Sequence, residues 1–123
     1  NLTYKEEKQS KDKIEVKDGM IPFKEFQKLE LKVGTIEEVK DHPDADKLYV
    51  LTVNLGKEKR QVVSGIKDFY KPKDLEGKQV TIITNLEPAE IRGVKSEGMI
   101  LAAGDEASIL SPIREVKDGE NVR

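Results

Sequence analysis

The sequence contains no cysteine and no tryptophan, a single histidine, and few aromatic residues of any kind, 5% of 123 positions. Without cysteine there is no disulfide framework, no thiolate metal site and no cysteine nucleophile, so packing and ion pairs must carry the fold. The shortage of aromatics leaves little material for stacking unpaired bases. No apolar run approaches the ~20 residues that cross a bilayer, and no charged-apolar-small signal pattern opens the chain. The expectation is a soluble cytoplasmic protein with no membrane partner. A chain of this length supports one core.

What is abundant is charge, with Asp, Glu, Lys and Arg making up 37% of the residues. The net charge of −2 hides an uneven distribution. Nine basic and six acidic residues lie between positions 57 and 95, against three basic and six acidic from 96 onward. A local basic face attracts phosphate even when the total is negative.

Residues 1–19 mix both signs of charge with few large apolar side chains and no period, the pattern of a flexible charged leader or linker. The structured domain is expected over 20–123. Pro22 ahead of Phe23, Phe26 and Leu29, spaced by three, predicts a short N-terminal helix. Five short segments rich in Val, Ile and Leu follow, at 31–40, 47–55, 60–66, 78–84 and 98–104, separated by Gly, Pro, Asp or Asn; each reads as a strand. Tyr49, Leu51, Val53 and Leu55 alternate with Val50 and Thr52 as a half-buried strand requires. Residues 67–78 hold at most a short helical turn. The fold class is therefore all-β, a five-stranded Greek-key OB barrel with a short N-terminal helix and a C-terminal extension. Such barrels bind ligands on the face of strands two and three, between the loops joining strands one to two and four to five.

The stretch NLEPAEIRGVKSEGM, residues 85–99, falls in that last connection and reads as a structured loop. Pro88 removes a backbone donor, Gly93 and Gly98 permit positive φ, and Asn85 and Ser96 suit turns. Its cations, Arg92 and Lys95, would stand at the groove rim beside Lys57, Lys59 and Arg60 of the strand-two to strand-three hairpin. Turn geometry alone would account for each of the two glycines, and Met99 also suits a core. Phe23, Phe26 and Phe69 read as core, Tyr49 as core or platform.

Catalytic readings fail on their residue types. Gly93 and Gly98 have P-loop spacing, but Met99 and Ile100 stand where Lys and Ser or Thr are needed. His42 with Asp44 and Asp46 reads as a turn rather than a metal or acid-base site. Ser64 before Gly65 lacks the strand-turn-helix setting of a nucleophile elbow. No catalytic residue, metal site or cofactor is expected.

The segments LKVGTIEEVKDHPDADKLYVLTVNLGKEKRQVVSGI and TNLEPAEIRGVKSEGMILAA resemble the tRNA-binding domain appended to methionyl-tRNA synthetases, which also occurs as a free-standing tRNA-binding protein and in cytokine-like synthetase cofactors. The HP-A-D-L turn, the R-VVSG strand and the NL-P---RG--S-GM-LA loop recur in order, and the likeness spans roughly Phe23 to Val116. It implies an OB fold that binds tRNA by shape with little sequence preference. It also implies a methionyl-tRNA synthetase catalytic part as partner, fused or separate, and homodimerisation through segments flanking the barrel. Matched by position, Asn85, Arg92, Ser96 and Met99 fall in the loop motif and Arg60, Ser64 and Gly65 in the strand motif. Glu30, Leu31 and Lys32 stand where the family usually carries Asp-Leu-Arg, and Glu87 and Glu90 where many relatives carry Lys. Ile109, Leu110, Ile113 and Val116 follow the fifth strand and need a surface beyond it, which a two-fold partner would supply. The alternative reading is a protein-interaction or cytokine-like OB module with weak RNA binding.

Overall fold

The chain enters the fold through one helical turn, α1 (Phe23–Phe26), started by Pro22 and carrying two phenyl rings with centroids 6.0 Å apart. The structure is a computed structural model and describes residues 18–123. The leader expected over 1–19 lies outside the described residues except for its last two positions. Asn85 pins the segment after α1 to the barrel. Its Oδ1 accepts the Glu30 N–H at 2.8 Å and its Nδ2 donates to the Lys28 carbonyl at 2.6 Å.

The long strand β1 (Leu31–Asp41) carries a register shift between Ile36 and Glu38. Such a bulge bends a strand, letting one element serve two sides of a barrel. The second half of β1 pairs antiparallel with β2 (Tyr49–Asn54), as in Ile36↔Val53 and Val39↔Leu51. β3 (Lys59–Ser64) pairs with the far edge of β2. Along β2, Tyr49, Leu51 and Val53 are buried while Val50, Thr52 and Asn54 are half-exposed, the period-two pattern expected of it. A single turn, α2 (Pro72–Leu75), then drops Leu75 into the core at 1% exposure. β4 (Gln79–Ile83) pairs with the first half of β1.

The connection after β4 is more ordered than a loop. β5 (Ala89–Ile91) and β6 (Val94–Ser96) form a hairpin inside it. β7 (Met99–Ile100) pairs with β4, completing a sheet of order β3-β2-β1-β4-β7. The ring closes where residues 96 and 97 meet the free edge of β3: the Glu97 N–H donates to the Gln61 carbonyl at 2.7 Å and the Val63 N–H to Ser96 Oγ at 3.0 Å. Inside sit Ile36, Tyr49, Leu51, Val53, Val62, Leu75, Val80, Ile82 and Ile100. This is the five-stranded, nearly closed OB-like barrel anticipated from the strand pattern. Phe69 is a correction, since it lies at the surface with 46% exposure.

The expected fifth strand splits. Beyond β7 the chain turns into β8 (Ala102–Ala103), which pairs with β9 (Ser108–Ile109). The Tyr70 hydroxyl donates to the Ala107 carbonyl at 2.9 Å and accepts the Ile109 N–H at 3.2 Å. The C-terminal segment is also bonded to the barrel rather than spare. Gln79 bonds Val116 through both ends of its amide, Gly119 N–H donates to the Val33 carbonyl at 2.7 Å, and Val122 N–H to the Leu31 carbonyl at 2.8 Å. The tail thereby covers the part of the β1 edge that β2 does not reach. Asp118 anchors it, accepting from Thr35 Oγ1 at 2.6 Å and Gln79 Nε2 at 3.3 Å.

Asp118→Ala removes the acceptor of both bonds. We expect a loss of about 1.5–3 kcal/mol, the range for hydrogen bonds to charged groups, read as a lower urea midpoint at unchanged m-value. An unaltered midpoint would show that the tail is not part of the cooperative unit.

Candidate nucleic-acid interface

The outer face of β2 and β3 presents Val50, Thr52 and Asn54 opposite Val63, Gln61 and Lys59. Its charges are already matched. Lys59 Nζ lies 2.9 Å from Glu37 Oε1, Asn54 Nδ2 donates to Glu37 Oε2 at 2.9 Å, and Lys40 pairs with Glu38 at 3.4 Å. The hydrogen bond from Lys59 and that from Asn54 hold the Glu37 carboxyl below its ordinary pKa, and the Glu37 bond and charge raise that of Lys59. Both groups therefore stay ionised around neutral pH and offset each other. The platform is polar and nearly neutral.

One rim of this platform is the β1–β2 loop, residues 42–48, and the other is the β5–β6 hairpin. The hairpin turns on Arg92 and Gly93, with φ of 52° and 88°. Two successive positive φ values define a type I′ turn, whose twist matches the flanking strands. Gly93 supplies this conformation freely, whereas Arg92 adopts it at a cost. The Arg92 side chain reaches across to the other rim, donating from Nη2 to the Asp44 carbonyl at 2.9 Å. Gly98 differs from the turn expectation. Its φ is not positive, and an added Cβ would come within 2.9 Å of Ile82 Cδ1 and 3.1 Å of the Ile83 carbonyl oxygen, so close packing on β4 demands it.

The ten residues expected to meet RNA do not share one surface. Arg92 and Lys95 are exposed on the hairpin. Lys32, Lys57 and Arg60 gather instead at the opposite end of the barrel, around a cleft shared with Glu30, Glu58 and Asp118. Lys59 lies on the platform and Ser64 at the end of β3, opposite Tyr49. Three residues have their polar atoms committed within the chain. Arg60 donates from Nη1 to the Thr84 and Glu97 carbonyls at 2.8 and 3.0 Å and from Nε to Glu58. Buried Ser96 donates to the Gly98 carbonyl at 3.2 Å while receiving Val63 N–H. Asn85 holds the segment after α1. Met99 is half exposed in a cross-strand row with Leu31 and Ile83.

His42 carries a contact that the sequence did not announce. It is 5% exposed; Nδ1 accepts the Asp44 N–H at 3.0 Å and Nε2–H donates to the Ile91 carbonyl at 2.9 Å. The first bond is the turn role expected of it. The second spans 49 residues of chain, and no local pattern signals it. Among the described residues there is no cluster of His, Asp or Glu suited to a metal ion, and no helix long and apolar enough to cross a membrane.

This geometry coincides with a known domain. Residues 31–121 match the family model described as a putative tRNA binding domain. The chain belongs to that family. It is 51% identical over 122 residues to a methionine–tRNA ligase of Pyrococcus horikoshii, covering 98% of this chain and 17% of that protein. It thus spans under a fifth of the length of such relatives. Two solved structures share the fold of this putative tRNA binding domain. A MetRS-related protein from Pyrococcus horikoshii superposes with a TM-score of 0.76 at 33% identity, covering 89% of this chain and 100% of that one. The chaperone CsaA of Bacillus anthracis gives 0.79 at 27% identity, covering 85% and 99%.

Ser96 distinguishes a structural from an RNA-facing role. Ser96→Ala strands the buried Val63 N–H and should destabilise by about 1–3 kcal/mol. A fall in melting temperature is expected, with no change in the salt dependence of tRNA binding; the reverse outcome would place Ser96 in the interface.

Proposed function

We propose that this domain binds tRNA by shape, without catalysis, as part of or beside a methionyl-tRNA synthetase, and raises the concentration of tRNA at the catalytic part. Membership of the putative tRNA binding domain family over residues 31–121 carries the reading, together with the likeness to methionine–tRNA ligases along nearly the whole chain. The charge pattern is consistent with it. A platform of paired charges has little to offer single bases, whereas exposed cations on a raised hairpin suit a folded backbone. Tethering then makes the second contact, tRNA with catalytic part, effectively intramolecular.

Of the expected contact residues, Arg92 and Lys95 on the hairpin rim are the ones we assign to phosphate, with Lys59 held in reserve by Glu37. Lys32 and Lys57 would contribute only if the RNA also reached the far end of the barrel. Glu87 and Glu90, exposed in the same connection, oppose it. Each phosphate contact adds roughly 0.7–0.9 to the slope of log affinity against log salt. Arg92→Ala with Lys95→Ala should weaken binding to different tRNAs alike and flatten that slope. Glu87→Lys with Glu90→Lys should tighten binding at low salt and steepen it. Fluorescence anisotropy across a salt series reads both, and slopes unmoved by either pair would remove the hairpin from the interface.

A protein-interaction module is the second reading, favoured by the likeness to the chaperone CsaA. Salt-sensitive retention of tRNA by the wild-type domain decides against it, and salt-independent capture of unfolded protein decides for it.

We further propose a homodimer. Ile109 packs against the barrel's own core, so it drops out of the expected interface. Leu110 and Val116 remain exposed, and Ile113 is fully so at 103%. The outer face of β1, β4 and β7 adds the row Leu31, Ile83 and Met99, with exposed Val122 beside Leu31. Light scattering should give twice the monomer mass for the wild-type domain and the monomer mass for Ile113→Asp with Val116→Asp. A wild-type monomer would refute the assignment.

A further inference from the structure

We infer that His42 is a positioning residue for RNA binding: its neutral imidazole staples the β1–β2 loop to the β5–β6 hairpin, so that the two rims of the groove present one preformed surface. The inference rests on the functional reading above and assigns a part in it to a side chain that itself touches no RNA.

The hairpin needs such a staple. A two-stranded hairpin is marginal by itself. Its one fully buried residue, Ser96, lies at the base, where Gln61 Nε2 also donates to the Lys95 carbonyl at 2.8 Å. At the tip, Arg92 and Gly93 are exposed, and no atom beyond the adjoining residues lies within 4 Å of where a Gly93 Cβ would be. Beyond the packing of half-buried Ile91 and Val94, two hydrogen bonds tie the tip to the facing loop, from His42 to the Ile91 carbonyl and from Arg92 to the Asp44 carbonyl. They form a circuit with the bond from the Asp44 N–H to His42 Nδ1. In this circuit the imidazole must be neutral, with its proton on Nε2, because Nδ1 accepts.

The two bonds are not equivalent. His42 is buried, so its bonds are shielded from water and strengthened by low local dielectric. Arg92 is exposed, its bond competes with solvent, and its guanidinium is itself a candidate for phosphate. When Arg92 turns to a phosphate, His42 keeps the hairpin in place. A rim ordered beforehand spares the ordering cost on association. His42 should accordingly affect affinity without changing the number of phosphates met.

The test uses tRNA binding across a salt series, with thermal melting of each variant. In His42→Asn the amide oxygen falls near Nδ1, able to accept the Asp44 N–H but unable to reach Ile91. In His42→Gln the amide nitrogen falls near Nε2, able to reach Ile91 but leaving Asp44 without its acceptor. We expect His42→Asn to lose roughly tenfold in affinity, a ~1.4 kcal/mol change, at an unchanged salt slope, and His42→Gln to restore most of the loss. Equal losses in both variants, or wild-type affinity in His42→Asn, would overturn the inference while leaving tRNA binding intact. Should His42→Asn not fold, His42→Gln decides, with near-wild-type affinity supporting the staple and a tenfold loss overturning it. A wild-type domain that does not retain tRNA at low salt would refute the functional reading, and this inference with it.

Discussion

The seam between β3 and residues 96–97 is the constraint on which the rest of the molecule depends. Without it the sheet β3-β2-β1-β4-β7 would have two free edges, and the side chains of Leu51, Val62 and Ile82 would have no far wall. The seam is short, one backbone bond at Glu97 and one side-chain bond at Ser96, and Arg60 reinforces it by bridging the Thr84 and Glu97 carbonyls. The same few residues launch the β5–β6 hairpin. Barrel closure and placement of the candidate interface are thus one event, and a change at Ser96 or Arg60 that looks like a lost contact to RNA is first a lost contact within the barrel.

The second constraint is charge. More than a third of the residues are ionised, yet the net charge is small and many cations face a carboxylate. Lys28, Lys32, Lys40, Lys47, Lys59 and Lys67 all have acidic neighbours within 4 Å, mostly at the surface. Pairs of this kind contribute little to stability, about 0–1 kcal/mol each. Their larger effect is to mute non-specific attraction for nucleic acid. On the β2–β3 side, the proposal leaves Arg92 and Lys95, exposed on the hairpin rim of a nearly neutral platform, to attract phosphate. Such a surface selects a ligand by where its phosphates are, in keeping with recognition of a folded RNA.

Much of this was legible in the sequence. The strands of the barrel announced themselves through alternation, as in Tyr49, Leu51 and Val53, and through turn residues between them. The ordered motifs identified the family, and the hairpin cations were already visible. Three things were hidden, the first by the shortness of its strands and the others because they depend on contacts distant in sequence. The hairpin inside 85–99 has strands of three residues, too short to show a period, and only its Arg-Gly turn hinted at it. Ile109 looked spare because β8 and β9 are only two residues each, too short to show a pattern, and the tail beyond them bonds to β1 mainly through backbone groups, which every sequence possesses. The engagement of Arg60, Ser96 and Asn85 with carbonyls and amides of other strands could not be separated from a role at the surface, because the side chains suit both.

On the proposed function, RNA meets the rims of the β2–β3 face. Amide chemical-shift mapping of the labelled domain during titration with tRNA tests it most directly. Signals from residues 42–48 and 89–97, and from the outward positions of β2 and β3, should shift or broaden first, while those from residues 110–122 hold. Early changes confined to the C-terminal segment and the outer face of β4 and β7, with the hairpin silent, would contradict it.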